Sequence, residues 1–263
     1  MKTKRIMKEQ QKKKAKRCGS FALQRLADLC HDMRTPLSII LNTAQLLEEQ
    51  PGENQERDLA QIRRNAQQLL RLVGNIGDLA AIDEGRVRLH MERVEGVVWL
   101  REMGLACAPY ARHKGLEFLV VANLKEVWIQ CDLVRLERCV LNLFSNAVRF
   151  TEPGGLVCLS IEQVGQEAHI SVCDNGCGIN KEQAKSLFHR FSAGHGSGLG
   201  LSLVKSFIER MGGRIEIESE VGEGTRASLL LPIDTKEAHS ASTMEALGSS
   251  VAGELADLLV SWE

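Results

Sequence analysis

Four short stretches of the 263-residue sequence carry side chains that could do chemistry together. His31 stands in His31-Asp32-Met33-Arg34-Thr35-Pro36-Leu37. An imidazole of ordinary acidity, with a pKa of about 6.5, is mostly neutral at pH 7 and can act as a nucleophile. Asp32 beside it can fix its tautomer and accept its proton, and Thr35 lies one helical turn on, on the same side. Asn142 and Asn146 stand at i and i+4 on an otherwise apolar helical pattern. Two amides on one face can share an oxygen-ligated Mg²⁺ and the phosphates it carries, with Arg149 as a further phosphate contact. Asp174-Asn175-Gly176-Cys177-Gly178 follows a β-like run. Its glycines would let backbone approach a flat ligand while Asp174 accepts a hydrogen bond from it, although the same letters also spell a plain Asn-Gly turn. Gly194 to Gly200 contains four glycines in seven residues and leads into an apolar helix. Backbone N–H groups there can cradle phosphate oxygens at the positive end of the helix. It matches neither Gly-x-Gly-x-x-Gly nor the Walker loop, so a dinucleotide or P-loop fold is unsupported.

These stretches need elements to position them. From Leu23 through Leu26, Cys30, Met33, Leu37, Ile40, Ala44 and Leu47 the apolar residues recur at 3, 4, 3, 4, one face of a long helix. Pro51-Gly52 breaks the pattern, and Leu59, Ile62, Ala66, Leu69, Val73, Ile76 and Ala80 restore it. The spacing predicts an antiparallel hairpin whose helices are roughly 40 Å long. Leu29, Ile39, Leu46, Leu70 and Leu72 flank the seams, more apolar surface than two helices can cover. A four-helix bundle made by a homodimer through residues 20–83 would cover it. His31 falls beside the seam and faces solvent, Pro36 should kink the helix near it, and Cys30 is expected to be a packed thiol. Past Gly85 the texture changes to short β-like runs at 86–91, 116–121, 156–162, 169–173, 214–218 and 225–231. These alternate with helical stretches at about 95–110, 132–149, 180–190 and 199–211. The expected fold is α+β, a helical hairpin followed by an α/β sandwich.

Composition sets the frame. The chain is 44% hydrophobic and 25% charged, which excludes a disordered or collagen-like polymer. The net charge of −1 hides a basic run: residues 1–17 sum to +8 and the remainder to −9. That run can attract anionic lipid, giving peripheral membrane contact, or simply solvate a helix entrance; direct nucleic-acid binding is not expected. Eight cysteines with no Cys-x-x-Cys pair read as free thiols of a cytoplasmic protein. No stretch approaches the ~18 consecutive apolar residues of a membrane span, and no signal peptide is expected.

In order and spacing the four stretches resemble the sensor histidine kinases of bacterial two-component signalling, over about residues 20–232. His31-Asp32-Met33-Arg34-Thr35-Pro36-Leu37 is similar to the phosphoacceptor box, with His31 phosphorylated, Asp32 as general base and Thr35 where relatives position a dephosphorylating water. Asn142, Asn146, Arg149 and Phe150 resemble the asparagine box that holds Mg·ATP, with Asn146, and Asn142 beside it, as metal contacts. Asp174, Gly176 and Gly178 resemble the box whose Asp binds the adenine amino group. Phe188-His189-Arg190-Phe191 resembles the phenylalanine box, and Gly196, Gly198, Leu199 and Gly200 the final glycine box. The resemblance implies a GHKL-type ATP-binding sandwich, also found in gyrase-type ATPases, behind a dimerising hairpin. The implied domains are a basic segment 1–19, a hairpin 20–84, a catalytic domain 85–233 and an acidic tail 234–263 with one amphipathic helix. ATP and Mg²⁺ are the implied cofactors, and the partners are a second copy, a response regulator receiver domain and a separate sensor. The lid Ser192-Ala193-Gly194-His195 is short and lacks a Lys or Arg. The implied activity is histidine autophosphorylation and transfer to an aspartate of a regulator. The rivals are a nucleotide-binding scaffold biased to phosphatase action and a gyrase- or chaperone-like ATPase. The related ATPases use a Glu where Asn142 stands, and an amide is a poor base for activating water.

Overall fold

The computed structural model describes residues 30, 32–47, 55–184, 186–188 and 198–235. The basic start, His31 itself, the lid with Gly196, the last three residues of the phenylalanine box and most of the acidic tail lie outside them. The chain forms two compact units, divided between Leu72 and Val73 within one long helix.

The first unit consists of helix α1 over residues 32–47 and the first part of α2, Gln55–Asp83. α1 runs through Pro36 without a break. Few side chains of this unit are sheltered by the chain itself. Pro36, Thr43 and Leu72 are buried, whereas Leu37, Leu41, Leu59 and Leu70 stay exposed. Cys30 is also exposed among the described residues of one chain; the packing expected for it, like that of the leucines, depends on a second copy.

The second unit joins the end of α2 to a mixed sheet with helices against it. β1 (Glu92–Glu95) pairs with β3 (Trp128–Cys131) as a small ribbon. β2 (Glu117–Ala122), β4 (Leu156–Val164), β5 (Glu167–Asp174), β6 (Arg214–Glu220) and β7 (Gly224–Pro232) form a sheet of order β2-β4-β5-β7-β6. β2 lies parallel to β4 and the other neighbours are antiparallel. α3 (Gly96–His113), α4 (Leu133–Phe150) and α6 (Gly200–Arg210) pack on the sheet, and α5 (Lys181–Ala184) is a single turn.

The strands alternate as half-covered strands must. Val157, Leu159 and Ile161 of β4 are buried, while Cys158 and Ser160 between them are partly exposed. Trp99, Leu100 and Met103 of α3, Leu136 of α4 and Phe207 and Ile208 of α6 complete a core excluded from solvent. Burial of each Leu or Ile there stabilises the fold by about 1.5–3 kcal/mol. Two carboxylates set the helix starts. Glu95 accepts from the N–H groups of Val97, Val98 and Val127; Asp132 accepts from Arg135 N–H and from His90 N–H.

Several elements differ from the sequence expectation. Residues 86–91 are not a strand: Arg86 N–H closes the end of α2 on the Ala81 carbonyl, His90 N–H donates to Asp132, and the strand begins at Glu92. The ribbon partner Trp128–Cys131 was not foreseen, because four residues are too few to display a period. The helix expected over 180–190 is helical at Lys181–Ala184 and continues as a turn at 186–188. At the end of α2 the buried residues are Leu79 and Ile82, not the expected Val73 and Ala80. This end of the helix faces α4 and α6. Arg138 of α4 bonds to Asp78 and, at 2.7 Å, to Asn75 Oδ1, and Arg210 of α6 donates to the Ile82 carbonyl at 2.9 Å.

Candidate functional site

α4 is apolar along most of its length, with Leu136, Val140, Leu143, Phe144 and Ala147 buried. Asn142 and Asn146 sit on its partly exposed flank. The fit between α4 and α6 is close: a Cβ on Gly200 would lie 2.5 Å from Asn142 Nδ2 and 2.6 Å from its Oδ1. Any side chain at position 200 would push the Asn142 amide out of this place. Gly200 thus brings the N-terminus of α6, whose first N–H groups have no partner within the helix, to the first of the two asparagines. Leu199, the residue before it, is fully buried, its carbonyl accepting from Ser202 Oγ at 2.8 Å. Its side chain belongs to the core, and only its backbone can face a phosphate.

The C-terminal end of α4 meets the Asp174 loop. Cys177 N–H donates to the Phe150 carbonyl at 3.2 Å, and a Cβ on Gly176 would lie 2.2 Å from the same oxygen. Gly178 has φ +66°, and a Cβ there would lie 2.0 Å from the Glu220 carbonyl, so side-chain sterics and backbone conformation both require glycine. Both glycines therefore answer to contacts made by α4 and β6. Beyond α4, Lys114 caps the open carbonyls of Val148 and Arg149, and the Arg149 guanidinium lies 5.6 Å from the Phe150 ring centroid.

Asp174 ends the central strand β5, opposite Val157 on one side and Thr225 on the other. Its carboxylate accepts from Gly176 N–H at 3.0 Å and from the Thr225 backbone. Burial nevertheless raises its pKa above the ordinary value, with these two bonds pulling the other way. A half-buried carboxylate with capacity left after two backbone bonds suits a ligand amine that donates one more hydrogen bond.

Sequence reasoning missed the support beneath this loop. Ser219 Oγ accepts from Ile179 N–H at 2.8 Å, donates to the Gly224 carbonyl at 2.8 Å and lies 2.9 Å from Thr225 Oγ1. A Cβ on Gly224 would strike the Asp174 carbonyl at 2.0 Å. The signal available was Gly222-Glu223-Gly224-Thr225, two glycines beside a hydroxyl at a strand start, letters that any tight turn shares.

The donor set fits a magnesium nucleotide. Among the described residues no group of three or more His, Cys, Asp or Glu could hold a metal ion. A hard cation near Asn146 would lean on amide and phosphate oxygens, the usual habit of Mg²⁺ in phosphoryl-transfer sites. A Cβ at Gly200 would meet the Asn142 amide, and one at Gly176 the Phe150 carbonyl, so glycine leaves backbone exposed at both places. No described helix is long and apolar enough to cross a membrane.

Mixed sheet, α4 amides, half-buried Asp174 and glycine-framed loops together suit a nucleotide-binding sandwich. Residues 131–235 match the family of histidine kinase-, DNA gyrase B- and HSP90-like ATPases. Residues 22–85 match the His Kinase A (phospho-acceptor) domain. The chain therefore belongs to the sensor histidine kinases of two-component signalling. It is 32% identical over 231 residues to the autoinducer 2 sensor kinase/phosphatase LuxQ of Vibrio cholerae, an alignment spanning 81% of this chain and 26% of that protein. To the sensor protein GacS of Pseudomonas syringae it is 32% identical over 237 residues, 84% of this chain and 26% of that one. The chain thus spans about a quarter of the length of these curated relatives. Among solved structures it resembles full-length ShkA in complex with AMPPNP, with a TM-score of 0.63 and 30% identity, covering 83% of this chain and 47% of that one.

Proposed function

We propose that this chain is the catalytic core of an ATP-dependent protein histidine autokinase that passes its phosphoryl group to an aspartate of a response regulator. One observation carries the reading. The structure joins three separated motifs, with Gly200 against Asn142, Cys177 bonded to Phe150, and Asp174 held between Gly176 and Thr225.

In this reading the adenine amino group of the substrate donates to Asp174. Backbone N–H groups from Gly198 to Gly200, and from Gly196 outside the described residues, meet the phosphates. Asn146, with Asn142 beside it, would hold Mg²⁺, which when bound neutralises charge on the phosphate oxygens. Arg149 and Phe150 close the same end. A ring nitrogen of His31 attacks the γ-phosphorus, the bond from that phosphorus to the bridging oxygen breaks, and ADP leaves. Asp32, partly exposed on α1, accepts the imidazole proton. A regulator aspartate then takes the phosphoryl group from His31. Exposed Thr35, one turn on, positions water that hydrolyses the regulator's aspartyl phosphate to inorganic phosphate; the name kinase/phosphatase borne by LuxQ supports looking for both activities. Asn142 is no base, so attack on water stays slow and histidine is the preferred acceptor.

The exposed Leu37, Leu41, Leu59 and Leu70 support a homodimer built on a hairpin domain of residues 20–84, ahead of a catalytic domain of 85–233. A cytoplasmic location, a separate sensor partner and lipid contact by residues 1–17 belong to the same proposal, as does the tail 234–263 as a further segment. The test is incubation with γ-labelled ATP. Acid-labile, alkali-stable label on the wild-type chain and none on His31→Gln is the expected result. Equal labelling of both would overturn the reading.

A further inference from the structure

We infer that Cys158 and Cys173 form an oxidisable cross-strand dithiol whose closure to a disulfide weakens nucleotide binding at Asp174. The consequence for affinity rests on the nucleotide reading above; the linkage does not.

The two cysteines are direct Cα partners in the β4-β5 ladder, and both are free. Residues directly opposite in an antiparallel pair point to the same face, with Cβ atoms about 4.5–5.5 Å apart. A disulfide needs about 3.5–4.5 Å, with Cα separations that an antiparallel pair already satisfies. Closing the bond asks for an approach of about 1 Å. The pair lies on the face opposite the helices, since Val157 and Leu159 on either side of Cys158 are buried in the core. Leu119 of β2 neighbours Cys158, and Arg226 of β7 neighbours Cys173. Both thiols are partly exposed, within reach of a small oxidant.

The chemistry balances with a hydroperoxide as oxidant. One thiolate attacks the peroxide oxygen, the O–O bond breaks, and a sulfenic acid and an alcohol or water result. The second thiol displaces hydroxide from that sulfenic sulfur, giving the disulfide and water. Two thiols are oxidised and one hydroperoxide is reduced. Burial lifts both thiols above their usual pKa, and the Arg226 charge pulls them back. The dithiol is therefore slow to react singly, and juxtaposition, not acidity, selects the product.

The consequence follows from position. Cys173 is peptide-bonded to Asp174, and the next rung of the ladder is Val157 with Asp174. The Asp174 carbonyl is boxed in by Gly224 and its carboxylate is tied to Gly176 and Thr225. An approach of about 1 Å at Cys173 has no slack to disappear into and must move the carboxylate.

The full chain, reduced and then treated with hydrogen peroxide, is blocked with N-ethylmaleimide and cut after glutamate. Cleavage at Glu162 and Glu167 separates Cys158 from Cys173. The expected product is a Cys158–Cys173 linked peptide pair. Affinity for a fluorescent ATP analogue should fall about tenfold, or about 1.4 kcal/mol, and return with dithiothreitol. Cys158→Ser should bind nucleotide like wild type when reduced and lose the response. Recovery of both cysteines as blocked thiols, or linkage through exposed Cys177, overturns the proposal, and so does full linkage with unchanged affinity. A reduced chain that binds no nucleotide would instead refute the site reading, leaving the linkage result to stand by itself.

Discussion

The two units carry opposite kinds of information. The helical unit displays a heptad pattern along each of its two helices, yet among the described residues of one chain it buries little: Leu70 keeps 70% of its surface and Leu41 keeps 62%. The sandwich shows short, ambiguous runs in sequence, yet Trp99, Leu136, Leu159 and Ile170 are wholly excluded from solvent. A periodic helix states which face wants a partner and not which partner covers it. A mixed sheet closes its own core and positions its own site. The division predicts that damage to the sandwich abolishes nucleotide binding inside one chain, while damage to the hairpin surface acts through assembly.

Four substitutions would break or sharpen that contrast. The largest effect belongs to Gly200→Val. Its branched side chain meets the Asn142 amide where a single Cβ already falls at 2.5 Å, and ATP affinity should drop about 100-fold or more by calorimetry. Next comes Asp174→Asn, which removes a charge-assisted acceptor and should cost about 10- to 100-fold in affinity.

Asp174 also has a pH signature. Its folded pKa is raised by burial, so the native state holds the proton more tightly than the unfolded chain does. The ionised group then subtracts from stability above that window, and the Asn variant should unfold at equal or higher denaturant, by up to about 1 kcal/mol. Wild-type affinity should fall on acidification at a pH above the ordinary carboxylate range, because protonation takes away the acceptor. A titration midpoint at or below 3.8 would contradict the burial account.

Leu70→Glu places a charge on the exposed apolar face and should weaken self-association about tenfold by sedimentation, with the melting of the sandwich unchanged. The smallest effect is expected of Arg138→Ala. It loses Asp78 and Asn75 at a half-exposed position, worth about 0.5 kcal/mol in urea unfolding.

Much of this was legible in the letters, for physical reasons. The α4 pattern, the glycine stretch and Asp174 were readable because helical spacing and glycine each answer to a local rule. The ribbon of Glu92–Glu95 with Trp128–Cys131 was not, because its pairing spans distant residues and neither strand is long enough to show a period. Nor was the Ser219, Gly224 and Thr225 support, whose hydroxyls acquire meaning only when β6 and β7 bring them under Asp174. Nor was the burial of Leu79 and Ile82 near the end of α2, where the helix meets Arg138 and Arg210 of helices far along the chain.

The central claim is a division of labour, in which one unit holds the nucleotide and a single imidazole on the other receives its phosphoryl group. Calorimetric titration of the His31→Gln chain with Mg·ATP tests it most directly. The account predicts an affinity within about twofold of wild type in a protein that takes up no γ-phosphate. A variant that has lost ATP binding would contradict it.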